Sequence, residues 1–155
     1  MRYADSDVAA MRTALELARE ALLTEDDDVP VGALIIGPGG DVVASSANRR
    51  EALTDPTAHA EVVVLRQAAL ALDATHLVGC ALVVTLEPCP MCAGAAQLAR
   101  VDRVVFGAWN EEYGAAGSAW DLLRDRRLSH RPEVVGGVLA DECGLIVREF
   151  FARRR

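Results

Sequence analysis

Residues 81–94, ALVVTLEPCPMCAG, place a short apolar run directly before two cysteines that lie three positions apart. The run at 81–86 predicts a buried β-strand, and 91–100 predicts a helix that starts at the cysteine-rich stretch. The cysteine pair alone is open to three interpretations: a redox dithiol, half of a structural zinc knuckle, or two ligands of a catalytic metal. Potential ligands or catalytic residues elsewhere in the chain must decide among these interpretations.

The flanking segments predict a mixed sheet covered by helices. Ahead of the central strand lie an amphipathic helix with its apolar stripe at 8–22, which Asp5 or Ser6 can cap, a strand hairpin at 31–44 around the turn 37–40, and a helix at 58–72. Behind it lie strands at 103–106 and 134–138, a short helix at 121–127 and a terminal helix at 141–151. Right-handed crossovers should make the later strands parallel. The chain is therefore expected to form one α/β domain, residues 1–155.

Composition and charge argue against a membrane-spanning chain and against indiscriminate nucleic-acid binding. The chain has 52% hydrophobic and 25% charged residues, and no apolar run approaches the roughly 20 residues of a membrane span. The net charge of −7 opposes nonspecific contact with phosphates, although the C-terminal third is slightly basic. Without a signal-peptide pattern, the expected location is the cytoplasm. There, cysteines are expected to be metal ligands, catalytic groups or buried thiols rather than disulfides.

His59 and Glu61, in the stretch HAE at 59–61, supply what the cysteine pair lacks. Zinc in a catalytic site takes three protein ligands and leaves one position for water. His59 is predicted in the first turn of the helix at 58–72, while Cys89 and Cys92 lie where the next helix begins. Both helix starts are expected at one edge of the sheet, where open α/β sheets place their sites. Zinc lowers the pKa of bound water to about 7, and a carboxylate beside it can carry the proton.

The combination H-x-E with P-C-x-x-C is the signature of zinc nucleobase deaminases. Over almost its whole length the chain resembles bacterial tRNA-specific adenosine deaminases, of the cytidine and deoxycytidylate deaminase superfamily. The segments that carry the resemblance are VPVGA at 29–33, DPTAHAE at 55–61, TLEPCPMCAGA at 85–95, RVVFGA at 103–108, GAAGS at 114–118 and GVLADEC at 137–143. The resemblance implies a three-layer α/β/α, cytidine deaminase-like fold, in which a mixed central sheet of about five strands carries helices on both faces.

The resemblance also implies a reaction and its residues. The enzyme would hydrolyse adenosine to inosine at the wobble position of a tRNA anticodon, as a homodimer that binds the anticodon stem-loop and holds one zinc ion per subunit. The implied metal ligands are His59, Cys89 and Cys92, and the implied catalytic residue is Glu61. The implied substrate-binding groups are the side chain of Asn48 and backbone groups at Ala60 and Pro88.

The chain departs from this family at 109–113, WNEEY, where many members carry an acidic residue followed by a lysine. Trp109 or Tyr113 is expected to stack on a base instead. The arginines at 124–131 and 153–155 are expected either to contact RNA or to be solvated. The remaining expectations are a solvated acidic loop at 25–28, a core position for Trp120, surface or core positions for His76 and His130, docking of the last helix through Phe150 and Phe151, and burial of Cys80 and Cys143 as small apolar side chains.

Three other functions remain open on the sequence. A deaminase of a free nucleobase or nucleoside, of guanine, cytosine or adenosine type, would share the zinc motif. A dithiol oxidoreductase would use the cysteine pair but leaves His59 and Glu61 without a role. A catalytically silent RNA-binding subunit would not need the proton carrier.

Overall fold

The computed structural model describes residues 2–154, so Met1 and Arg155 lie outside the description. The elements are α1 (Asp5–Ala21), β1 (Gly32–Ile36), β2 (Val42–Ala47), α2 (Arg50–Leu53), α3 (Ala60–Leu72), β3 (Ala81–Leu86), α4 (Pro90–Leu98), β4 (Arg103–Ala108), a 3-10 turn (Leu122–Arg124), β5 (Glu133–Gly136) and α5 (Ala140–Ala152). The five strands form one sheet in the order β2-β1-β3-β4-β5. β1 is antiparallel to both β2 and β3, whereas β3, β4 and β5 run parallel. The predicted mixed sheet of five strands is confirmed.

Each face of the sheet has its own core because successive strand residues point to opposite sides. On β3, Leu82 and Val84 pack into the core beneath α3 and α4, whereas Val83 packs into the core beneath α1 and α5. All three side chains are buried. This alternation gives the three-layer α/β/α arrangement that the resemblance implied.

Two local predictions at the N-terminal half need correction. Ala4, not Asp5 or Ser6, is the N-cap of α1, and no side chain caps this helix. Asp7 in its first turn is buried and accepts two hydrogen bonds from Arg103 at 3.0 and 2.9 Å. The acidic stretch 25–28 is not uniformly solvated either: Asp28 is buried and accepts hydrogen bonds from the backbone N–H groups of Glu51 and Ala52, at 2.8 and 3.1 Å. These contacts hold α2, a helix that the sequence did not predict.

A close approach between β4 and α5 gives a stability prediction. A Cβ at Gly107 would overlap Sγ of Cys143 and lie 2.8 Å from the carbonyl oxygen of Thr85. Overpacking of this kind destabilises a core by about 1–3 kcal/mol. Gly107→Ala should therefore lower the urea midpoint of unfolding. Gly144→Ala on α5 is the matched control, since its added methyl meets mainly the movable Arg148 guanidinium and helix propensity favours alanine by up to about 1 kcal/mol. Equal midpoints for the two variants would contradict this packing.

Among residues 2–154, no helix combines the length and the apolar character needed to cross a membrane.

Candidate active site

Two helix N-termini bring the three proposed metal ligands together. His59 is the N-cap residue of α3, one position before the first helical turn in which the sequence placed it. Cys89 is the N-cap residue of α4, Pro90 occupies the first helical position, and Cys92 follows in the first turn. Proline suits that position because the N–H it lacks would have no intrahelical partner. Both helices begin beside the carboxyl end of β3, as predicted.

The distances among these side chains fit zinc. Nδ1 of His59 lies 3.6 Å from Sγ of Cys89 and 3.4 Å from Sγ of Cys92. The three donor atoms all lie within 4.8 Å of one another. A tetrahedral zinc ion with ordinary Zn–S and Zn–N bond lengths separates a sulfur and a nitrogen ligand by about 3.5 Å. Two thiolates and one imidazole also match the donor types that zinc prefers, so the residues present fit this ion.

The protonation of the two cysteines is coupled. The Cys92 thiol donates a hydrogen bond to Cys89, and this is the main reason that the pKa of Cys89 falls to about 4. The same hydrogen bond, together with burial, raises the pKa of Cys92. A hydrogen bond with Cys89 raises the pKa of His59, although burial opposes it. Both cysteines must be deprotonated to bind a metal as thiolates, so metal binding is expected to release protons.

Glu61 lies in the first turn of α3, two positions after His59, with only 5% of its surface exposed. Burial raises the pKa of its carboxyl to about 7, against the opposing effects of its own backbone N–H and of His59. A carboxyl group whose pKa is close to neutral can both accept and release a proton at physiological pH. Glu61 is therefore suited to carry protons beside the candidate metal position.

The backbone places the proposed substrate-binding groups around the same edge. Asn48 follows β2, and its side-chain oxygen accepts a hydrogen bond from the backbone N–H of Arg50 at 3.3 Å. The N–H of Arg49 donates to the carbonyl of Ala58 at 2.9 Å, which ties this segment to the start of α3. Ala60 is the first residue of α3, where an N–H has no intrahelical acceptor. The carbonyl oxygen of Pro88 accepts a hydrogen bond from Ala115 at 2.7 Å.

Glu87 is a residue at this edge that the sequence analysis missed. Its side chain is 1% exposed and accepts hydrogen bonds from residues 110, 116 and 118. The available signal was its position, since it directly follows the buried strand β3 and precedes the Pro-Cys pair. A charged residue at such a position needs partners, and the sequence does not show that they lie 23 to 31 residues later.

The structure also shows the burial of several residues whose positions the sequence predicted. Trp120 is 52% exposed, so the prediction of a core position is wrong; Leu123 fills the core instead. Cys80 and Cys143 are buried, as predicted. Nε2 of His130 contacts the carbonyl of Val101 at 2.7 Å. Phe150 is buried while Phe151 is half exposed, so only the first of this pair docks the last helix.

Three of the six described arginines in the predicted basic stretches pair with acids. Arg124 pairs with Asp121, and Arg127 pairs with Asp125. Arg154 pairs with Asp27 and covers the ring of Phe150. Contact of the arginines with RNA stays a prediction.

A buried carboxyl beside two thiols and an imidazole, all at helix starts on one sheet edge, is the arrangement of a metal-dependent hydrolase. The family model described as "Cytidine and deoxycytidylate deaminase zinc-binding region" matches residues 4–108. This chain belongs to that zinc-dependent deaminase family. The predicted family and the predicted zinc cofactor are both confirmed.

Three individual proteins show how similar this chain is to known members of the family and to a protein of another name. The tRNA-specific adenosine deaminase of Bacillus subtilis is 43% identical over 96% of this chain and 91% of that protein. The tRNA(Ile)-lysidine synthase of Deinococcus deserti is 49% identical over 94% of this chain, but the chain spans only 27% of that relative's length. A solved structure from a study of A-to-I editing by tRNA:A34 deaminases at the wobble position of transfer RNA has a TM-score of 0.84 and 40% identity, and covers 89% of this chain and 98% of that chain.

Proposed function

We propose that this chain is a zinc-dependent hydrolase that converts adenosine to inosine at the wobble position of a tRNA anticodon. The observation that carries the proposal is the buried Glu61 carboxyl beside the three clustered donor atoms of His59, Cys89 and Cys92. The substrate is supported by the tRNA-specific adenosine deaminase of Bacillus subtilis, whose similarity to this chain extends over nearly the full length of both proteins.

In this proposal, His59, Cys89 and Cys92 hold one zinc ion per subunit. When bound, zinc supplies a Lewis acid that makes water a nucleophile at neutral pH. Glu61 accepts a proton from the attacking water and passes it to N1 of the adenine ring. Glu61 then carries the second proton to the exocyclic nitrogen. The oxygen of water forms the new bond to C6, the C6–N bond breaks, and ammonia leaves.

The substrate-binding groups have chemistry that suits a purine nucleotide. The Asn48 side chain offers both a donor and an acceptor, and its oxygen is already oriented by the N–H of Arg50. The N–H of Ala60 can donate to the base, and the carbonyl oxygen of Pro88 can accept from its exocyclic amine with the lone pair that Ala115 does not use. An anticodon loop presents its bases unpaired, so the cost of moving the target base out of its stack is low.

The proposed assembly is a homodimer in the cytoplasm. Large exposed apolar side chains lie on the helical layer formed by α3 and α4, at Leu70, Met91 and Leu98. A second copy that covers part of this layer would remove apolar surface from water. Met91 lies in the first turn of α4 beside the candidate site, so a partner subunit that covers this end of the layer would lie beside the bound RNA.

The main alternative is a deaminase that acts on a free nucleobase or nucleoside. The zinc-loaded protein should release ammonia from an anticodon stem-loop with adenosine at the wobble position, and product analysis should find inosine at that position alone. A stem-loop of the same sequence with guanosine at the wobble position is the matched control and should release none. Turnover of free guanine, cytosine or adenosine without turnover of the stem-loop would reject the RNA substrate.

A dithiol oxidoreductase is less well supported by the geometry. Both sulfurs lie within 3.6 Å of Nδ1 of His59, and a redox role gives no function to this imidazole or to the buried Glu61. A silent RNA-binding subunit would leave the buried Glu61 without a role.

A further inference from the structure

The loop at 109–120 places aromatic side chains in solvent beside the candidate active site. Trp109 is 50% exposed, Tyr113 is 61% exposed and Trp120 is 52% exposed. The loop follows β4, the strand next to β3, and therefore leaves the sheet at the same edge as the segment that carries Cys89. Trp109 is held at one edge by Phe106, at 4.8 Å between ring centroids and 89° between planes. Exposed but fixed aromatic rings are suited to stacking on unpaired bases.

The buried side chain of Glu87 fixes the backbone of this loop through hydrogen bonds. Its Oε1 accepts hydrogen bonds from the backbone N–H groups of Ala116 and Ser118, at 3.1 and 2.9 Å. Its Oε2 accepts from the backbone N–H of Asn110 at 2.9 Å and from Oγ of Ser118 at 2.5 Å. The four hydrogen bonds join the beginning and the end of the loop to one carboxylate.

The loop also packs tightly around that carboxylate. A Cβ at Gly114 would overlap the carboxyl group of Glu87 and the carbonyl oxygen of Asn110. The carbonyl oxygen of Gly114 accepts hydrogen bonds from the N–H groups of Ala119 and Trp120, both at 2.9 Å. Moving the carboxylate would therefore shift the segments that carry all three aromatic side chains.

The chemistry of these contacts points to positioning rather than to stability alone. The hydrogen-bonding partners of Glu87 are neutral backbone amides and a hydroxyl, and no salt bridge of Glu87 exists within residues 2–154. A buried carboxylate without a countercharge is costly, and its four hydrogen bonds offset part of that cost. A carboxylate, however, accepts hydrogen bonds at both oxygens, which an amide cannot do because its NH₂ group only donates.

We propose that Glu87 is a positioning residue that fixes the 109–120 loop relative to the Cys89 segment, so that the loop's aromatic side chains form a stacking surface for the unpaired RNA bases that flank the target adenosine. This inference rests on the proposed function. It adds that the surface is set by a buried carboxylate, and that its ligand is unstacked bases rather than phosphates. The loop contains no arginine, but it contains Glu111 and Glu112, which disfavour phosphate contact.

Glu87→Gln in the zinc-loaded protein tests the inference. The amide NH₂ would face backbone donors, and an unsatisfied buried group of this kind corresponds to roughly a tenfold change or more in an equilibrium constant. KM for the wobble-adenosine stem-loop should therefore rise by about tenfold, with kcat and zinc content close to wild type. Ser118→Ala, which removes one of the four donors, should change KM in the same direction by less. Glu111→Gln removes a charge from the same loop without touching these hydrogen bonds, and its KM should not rise above that of the wild type.

Intrinsic fluorescence gives a second readout that does not need RNA. The chain has 2 tryptophans, Trp109 and Trp120, and both lie in this loop, so fluorescence anisotropy and acrylamide quenching report on it alone. Glu87→Gln should lower the anisotropy and increase quenching, whereas Glu111→Gln should change neither. Wild-type fluorescence should be quenched when the stem-loop binds, as stacking requires.

The outcomes separate the inference from the proposed function. Wild-type KM and wild-type fluorescence in Glu87→Gln would overturn the inference while leaving deamination intact. A loss of kcat or zinc at unchanged KM would also overturn it, because Glu87 would then act on the metal segment alone. If Glu87→Gln does not fold, Ser118→Ala decides by the same two readouts. No deamination of the stem-loop by the wild type would sink the proposed function instead.

Discussion

Replacing Glu61 by glutamine should lower the rate of deamination by about three orders of magnitude while zinc stays bound. Glu61 is buried, and burial raises its pKa to about 7, so the carboxyl can take a proton from water and release it to the departing amine. Glutamine has a similar size but cannot exchange a proton at either step. The expected result is therefore a loss of kcat without a loss of metal. Ammonia release from the stem-loop and zinc content in the same preparation are the two measurements.

The matched control is Glu16→Gln, which removes an exposed carboxylate from α1, on the opposite face of the sheet. That variant should keep wild-type activity. Retention of a tenth or more of the activity in Glu61→Gln would mean that another group carries the protons. The same variant also distinguishes the redox alternative, because a dithiol oxidoreductase would keep its disulfide-reductase activity without this carboxyl.

Replacing Cys89 by alanine should remove zinc and abolish deamination together. Cys89 lies 3.6 Å from Nδ1 of His59, and the hydrogen bond from Cys92 lowers the pKa of its thiol to about 4, which favours the thiolate that a metal needs. Zinc content should fall from one ion per subunit to near zero. X-ray absorption of the wild type should show two sulfur ligands at about 2.3 Å and lighter ligands at about 2.0–2.2 Å.

Cys143→Ala is the control for this variant, since Cys143 is a buried thiol on α5, on the other side of the sheet from α3 and α4. It should keep one zinc ion and most of the activity. Stoichiometric zinc in Cys89→Ala, or a coordination shell of four sulfurs in the wild type, would count against the proposed ligand set.

Local sequence patterns predicted the elements that depend on short-range features, such as an apolar run or a glycine-rich turn. The apolar run of β3 occupies Ala81–Leu86, as predicted, and the glycine-rich turn joins β1 and β2 into an antiparallel pair. His59, Cys89 and Cys92 could be assigned to one site because each lies at a helix start beside the same strand. The three donor atoms converge within 4.8 Å because α3 and α4 pack on the same face of the sheet and start at the same edge.

Contacts between residues that are distant in sequence could not be predicted in this way. Asp28 looked like part of a solvated acidic loop, yet it is buried because two backbone N–H groups more than 20 residues later need an acceptor. Glu87, at the active site, is likewise buried because it accepts hydrogen bonds from backbone N–H groups 23 to 31 residues later. Trp120 was expected in the core, but tertiary packing leaves its indole in solvent and buries Leu123 instead.

Sequencing of tRNA from cells depleted of this protein tests the central claim most directly. Inosine is read as guanosine, so the wobble adenosine of the substrate tRNA should revert to an adenosine signal on depletion. A wild-type copy of the gene should restore the inosine signal, and a Glu61→Gln copy should not. An inosine signal that persists at full strength after depletion, or that the Glu61→Gln copy restores, would contradict the account.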